Sequence, residues 1–184
     1  MLRKFVSNYF RKRLVGYFLK QQRNAKIQTL SNSRSIGILW NPVDEGSIET
    51  YELLRKTLRG KGIAVTALGY TGNKNAEQNL SLIAHSGFSN RTNVGFSGKP
   101  VTGPGVQFIT EPFDILIDLS IKKVLALEYL LVHSDARFKI GWESSGVNYY
   151  DLNIDVSKQP TCRYLMEQII YYLEKINGNQ GKII

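Results

Sequence analysis

Few side chains in this sequence are of the kinds that carry chemistry on their own. Cys162 is the single cysteine, and the two histidines are His85 and His133. One thiol and two distant imidazoles make a poor start for a zinc site, which draws on three or four clustered ligands. No nucleophile–base pair stands out either, because His133 falls at the end of one helix and Cys162 on the inward side of another. The lone cysteine excludes an intramolecular disulfide and suits a reducing compartment. NVGFSGKP at 93–100 has the outline of a phosphate loop but fails as one. Asn93 stands where the first glycine belongs, Pro100 where Ser or Thr would ligate magnesium, and no strand-to-helix context follows. No catalytic residue, metal ligand or cofactor is assigned.

Binding residues are easier to nominate, given the elements that would position them. Ile36–Trp40 is a short apolar run, as in a buried parallel strand. Asn41-Pro42 ends it. A helix follows over Ser47–Arg59, with Ser47 as N-cap, Glu49 and Glu52 early, and Ile48, Tyr51, Leu54 and Leu58 inward. Gly60 and Gly62 stop it before a strand at Ile63–Tyr70, completing a βαβ unit. Thr71–Gly105 is rich in glycine and proline and reads as irregular, with a short helix at Asn75–Ala84. Val106–Ile109 is read as an edge strand and Phe113–Leu119 as a central one. A helix runs from Ser120 or Ile121 through His133, with Val124, Leu127, Leu130 and Leu131 inward. Strands follow at Phe138–Trp142 and Leu152–Val156. Pro160 then opens a helix over Thr161–Ile176, with Leu165, Ile169, Tyr172 and Leu173 inward. Residues 178–184 are expected to fray.

In such a sheet, ligands bind beyond the carboxyl ends of the strands, where strand order reverses. That rule selects Asn41, Tyr70 to Gly72, Asp118 to Ser120 and Trp142 to Glu143, and the long loop adds Lys99. Asp118 is the strongest of these; its competing role is to cap loop amides. Ser120 doubles as a helix N-cap, Trp142 as a core residue and Lys99 as a solvated cation. Asp151 and Asp155 are most simply solvent-facing.

The runs FDILIDLS, ARFKIGW and DLNIDV, closed by a helix with IIYYLEKI, resemble a family of small bacterial proteins of unknown function. Members carry a segment like DLNWFGKP, for which NVGFSGKP is the counterpart here. This chain lacks that Asp and Trp but keeps Phe96, Gly98, Lys99 and Pro100. The resemblance implies a basic N-terminal helix ahead of an α/β domain and supplies no catalytic residues.

The charge distribution points elsewhere. The net charge of +9 in 184 residues is confined to one end. Nine basic residues precede residue 36 and the first acid is Asp44, leaving 15 basic against 15 acidic residues behind them. A uniformly basic nucleic-acid-binding domain is therefore excluded. In residues 2–19, Leu2, Phe5, Val6, Tyr9, Phe10, Leu14, Tyr17 and Phe18 follow helical spacing, with Arg3, Lys4, Arg11, Lys12 and Lys20 opposite and Arg13 alongside. Three readings stand: the aromatic face packs on the domain, the helix lies in an anionic membrane surface, or it is an arm on nucleic-acid phosphates. Nothing resembles a signal peptide, and no run reaches the ~18 apolar residues of a membrane-spanning helix.

The expected architecture is α/β, a three-layer sandwich around a mainly parallel sheet of about five strands. It is flavodoxin-like or Rossmann-like in order 2-1-3-4-5, unless the last strand pairs antiparallel at an edge. Residues 1–34 form the basic amphipathic helix and a polar linker, 35–176 the α/β domain and 177–184 a tail. The expected function is non-enzymatic: a cytoplasmic binding or scaffold module whose helix contacts an anionic membrane surface, placing it at the inner membrane face, or a protein partner. The alternative is a protein or enzyme binding a nucleotide-like or sugar-phosphate ligand at the strand ends.

Overall fold

The computed structural model of the chain describes residues 2–72, 86–143 and 146–176. The apolar runs become β1 (Ser35–Trp40), β2 (Ala64–Tyr70), β4 (Ile115–Asp118), β5 (Phe138–Gly141) and β6 (Leu152–Asn153), with a further strand, β3 (Gly87–Ser89). They form one sheet in the order β3-β2-β1-β4-β5-β6, and every pair is parallel. The five expected strands keep their expected order. The added β3 makes this the order of a six-stranded doubly wound sheet, compatible with a Rossmann-like arrangement. β3 escaped notice because three residues at a sheet edge carry no readable period. β6 is parallel as well, with Ile140 opposite Leu152 and Gly141 opposite Asn153, so the antiparallel edge does not occur.

Five described helices cover the sheet: α1 (Leu2–Phe18), α2 (Ser47–Gly60), α3 (Pro104–Phe108), α4 (Leu125–His133) and α5 (Cys162–Lys175). Alternation along the strands divides the core. Ile36, Ile38, Trp40, Ile115, Ile117, Phe138 and Ile140 face α2 and α5, where Tyr51, Leu54, Leu165 and Ile169 pack on them. Leu39, Leu68 and Leu116 face α3 and α4, whose Phe108, Leu127, Leu130 and Leu131 fill the other side. The result is the expected three-layer α/β architecture.

Several local expectations change. Val106–Ile109 is not an edge strand; Pro104 opens the short helix α3 and Phe108 packs 4.9 Å from Phe113. Gly46, at φ 66°, takes the N-cap position of α2 in place of Ser47. α4 begins at Leu125, because carboxylates hold the preceding residues in a loop. Thr161 caps α5 by accepting from the Tyr164 amide at 3.2 Å. Tyr172 is 42% exposed rather than inward, and Cys162 and Met166 fill that face instead. Burial pushes the Cys162 thiol up to about 12, which leaves it inert as a nucleophile. Asn75–Ala84 and 178–184 lie outside the described residues.

The polar stretch 21–34 is strapped to the body. Leu30 enters the core. Ser33 Oγ donates to the Thr29 carbonyl at 2.7 Å. Arg23 donates to the Ala136 carbonyl at 2.8 Å and pairs with Asp151, so that acid is not simply solvated. Its neighbour Lys139 is 1% exposed. Projecting from β5 away from Phe138 and Ile140, its ammonium donates to the carbonyls of Leu131 at 2.6 Å and Val132 at 3.2 Å. It thereby satisfies two orphan carbonyls at the end of α4.

Burial, aided by the nearby Arg23 charge, lowers the Lys139 amine from 10.5 to about 7. The unfolded chain therefore holds one more proton between those values, and stability rises as pH is raised through them. Urea unfolding should show this rise in the wild type and not in Lys139→Met. Parallel pH curves for the two proteins would show that Lys139 titrates normally.

Candidate functional site

The sheet reverses between β1 and β4, so their carboxyl ends mark the expected ligand crevice. Asn41, Asp118 and Ser120 gather there, at 5%, 2% and 1% exposure, while Trp142, at 8%, follows β5 beside them. What fills the crevice is the chain itself. Asp118 Oδ1 accepts from the Ser120 amide at 2.8 Å. Asp44 Oδ2 accepts from the amides of Ile121 and Lys122 at 2.8 and 3.2 Å. Asn41 Nδ2 donates to Asp44 Oδ1 at 3.3 Å, and its Oδ1 accepts from the Val43 amide at 3.2 Å. The loop after β1 is thus tied to the loop after β4. Burial raises the Asp44 pKa, and the two amides hold the rise back. Ser120 does not cap α4; its amide serves Asp118 and its buried hydroxyl finds no partner.

Beside this crevice lies a second buried cluster. Tyr150 donates to Asp118 Oδ2 at 2.7 Å, and Lys123 Nζ donates to the Tyr150 hydroxyl at 2.7 Å and to the Trp142 carbonyl at 2.5 Å. The Tyr150 ring lies so close over β5 that a Cβ on Gly141 would meet it at 2.5 Å. Burial, reinforced by the Asp118 charge, pushes the Tyr150 phenol well above its ordinary value. Such a phenol stays protonated near neutrality. Trp142 packs into the core, as its competing reading had it. These groups satisfy one another and form a structural lock.

Lys99 does not join them. Residues 93–100 form a tight hairpin, bridged between Val94 and Pro100 and closed by the Gly95 amide donating to the Lys99 carbonyl at 2.9 Å. Gly98, at φ 84°, seats the hairpin on the start of α4, where a Cβ would lie 2.6 Å from the Leu125 carbonyl oxygen. Lys99 is exposed, and Phe96 at the tip is 88% exposed.

α1 is only half docked. Arg11, expected on the outer charged face, turns inward to a two-pronged contact with Glu128 of α4, at 2.8 to 3.1 Å. Glu128 is 6% exposed, and the pairing raises the Arg11 pKa further. Leu14 enters the core, Phe18 meets Tyr149 edge-on at 5.1 Å, and Tyr17 stacks on His133 at 4.2 Å. His133 is held between Tyr17 and Tyr129, and burial lowers its pKa. By contrast Phe5 and Tyr9 are 69% and 58% exposed. Lys12, Arg13 and Lys20 are exposed too, with Arg13 over the Tyr9 ring. The side chains of Arg3 and Lys4, and all of His85, lie outside the described residues. The described residues contain neither a cluster able to hold a metal ion nor a helix long and apolar enough to cross a membrane.

Sequence reading did not single out Asp44, Lys123, Glu128, Lys139 or Tyr150. Glu128 in LALEYLLVH and Lys139 in FKIG did carry a signal, each being the lone charge in an apolar run, which burial forces into a pair. Two substitutions test this account. Tyr150→Phe should cost about 1–3 kcal/mol in urea unfolding, because it strips Asp118 and Lys123 of a buried partner. Arg11→Met should cost a similar amount by stranding the Glu128 carboxylate. An effect below about 0.5 kcal/mol, typical of a free surface cation, would contradict the inward docking of Arg11.

No curated protein shows significant similarity to this chain. A family description does match, over residues 3–176, and it spans the helix, the strap and the sheet together. The chain belongs to this family of unknown function, DUF6913.

Proposed function

We propose that this chain is a non-enzymatic α/β module that docks on an anionic membrane surface through the outer face of α1 and the Phe96 hairpin. One observation carries the reading: Phe5, Tyr9 and Phe96 stand 69%, 58% and 88% exposed, beside the exposed cations Lys12, Arg13 and Lys99. Positions 5 and 9 share one outward helix stripe, and Lys12 and Arg13 flank it. That is the arrangement of a helix lying in a headgroup layer, with rings inserted and cations level with phosphates. No acid precedes Asp44 in the sequence. The half-docked state of α1 favours this use, since Arg11 and Leu14 fix the helix while its outer stripe is left uncovered. In this reading the protein is cytoplasmic and peripheral at the inner membrane face.

The closed crevice between β1 and β4 weighs against the alternative of a nucleotide-like or sugar-phosphate ligand there. Asp44 and Asp118 occupy the loop amides that would otherwise receive phosphate oxygens.

Co-sedimentation of the full chain with vesicles tests the proposal. Binding is expected to phosphatidylglycerol-containing vesicles and not to purely phosphatidylcholine ones. Phe5→Ser, Tyr9→Ser and Phe96→Ser should each weaken it about ten-fold, given about 1.5–3 kcal/mol for burying a large apolar side chain. Lys12→Glu with Arg13→Glu should weaken it further and remove most of its salt dependence, at about 1 kcal/mol per cation. Equal pelleting of wild type and the triple serine variant would refute it. So would failure to pellet with anionic vesicles at low salt, which would turn the face towards a protein or nucleic-acid partner.

A further inference from the structure

The hairpin and α1 do more than expose rings; they wall a groove. Between them, the end of β2 and the start of α4 lies an open cleft of about 730 Å³, lined chiefly by Val6, Tyr70, Val94, Phe96 and Leu125. That lies within the range of about 300–1,000 Å³ usual for small-molecule sites. Its walls are fixed. The Gly95–Lys99 and Val94–Pro100 pairings brace the hairpin, and the close seat of Gly98 on Leu125 anchors it to α4. Among the described residues, the lining contains one charged side chain, Arg91, and no acid. Exposed Lys99 sits on the same hairpin. An apolar trough with a cation in its wall suits an amphiphile with a hydrocarbon chain and one anionic head. The groove also opens beside Val6 and Phe96, on the face assigned above to the membrane.

We infer that this groove holds one acyl chain of an anionic lipid, with its head group paired to Arg91. The choice of occupant rests on the membrane reading of α1; the groove's geometry does not. A chain drawn from the bilayer would lie against Val94 and Leu125, while Phe5 and Tyr9 insert alongside it. Lipid capture would then add to the affinity of the helix, because both engage the same surface.

The test uses the full chain in solution with dodecanoate below its micelle concentration, followed by amide chemical shifts. Dodecanoate should shift the amides of Val94, Gly95, Phe96, Leu125 and Ala126, and leave those of the crevice at Asp118 and Ser120 unmoved. Arg91→Gln should weaken dodecanoate binding about ten-fold, the expected loss for one charge-assisted contact, and leave the weaker binding of dodecanol unchanged. Arg91 is exposed, so this variant folds; Val94→Trp, which blocks the trough, should abolish binding of both. Absence of shifts in these amides, shifts centred elsewhere, or equal affinity for dodecanol and dodecanoate would each overturn the inference. The two proposals fail separately. Groove binding without vesicle pelleting would refute the helix as an anchor and sustain the groove, whereas pelleting without groove shifts would do the reverse.

Discussion

A parallel sheet whose strand order reverses must leave two loops diverging from its middle, and their backbone amides need partners. Much of this protein follows from how that need is met. Asp44, from the loop after β1, takes the amides of Ile121 and Lys122; Asp118, at the end of β4, takes that of Ser120. Where related architectures leave such amides for a ligand's phosphate, this chain supplies its own carboxylates. With residues 119–123 held as a loop, α4 cannot begin before Leu125. That delay places Lys123 over Tyr150 and Trp142.

The placement of α4 governs everything on that side of the sheet. Its buried Glu128 turns Arg11 inward and so sets the rotation of α1 about its own axis. Its last carbonyls receive the Lys139 ammonium, and its first turn receives Gly98 and with it the hairpin. The outer stripe of α1, the Phe96 tip and the groove between them are consequences of a single helix held in one place. A surface assembled this way is pre-formed, so binding there requires little ordering of the chain.

The fold was legible to the extent that burial writes a period into the chain. Ile36–Trp40 and Phe113–Leu119 are apolar without interruption because helices cover both sheet faces, and they became β1 and β4. The inward stripes of α2 and α4 were readable for the same reason. Pro160 announced the start of α5, and the structure adds Thr161 as its cap. β3 and α3 were not legible: each is shorter than two periods of its pattern and owes its form to neighbours, β3 to the edge of β2 and α3 to Phe113. The strap at 21–34 misled for a related reason, since it is held by hydrogen bonds and one leucine rather than by an apolar stripe.

What the sequence determined by itself was therefore the α/β class, the five apolar runs that become strands, and the concentration of positive charge ahead of Asp44. These depend on side-chain type and spacing along the chain. Only the tertiary structure decided that Asp118 is a capping residue, that Arg11 faces inward while Phe5 and Tyr9 face out, and that the 93–100 segment walls a groove with α1, the end of β2 and the start of α4. Each of those outcomes turns on a contact between residues far apart in sequence, such as Arg11 with Glu128 or Gly98 with Leu125. Glu128, a lone charge in an apolar run, marks the need for a partner but does not name it, because the free energy of such a contact arises only when folding brings the two residues together away from water.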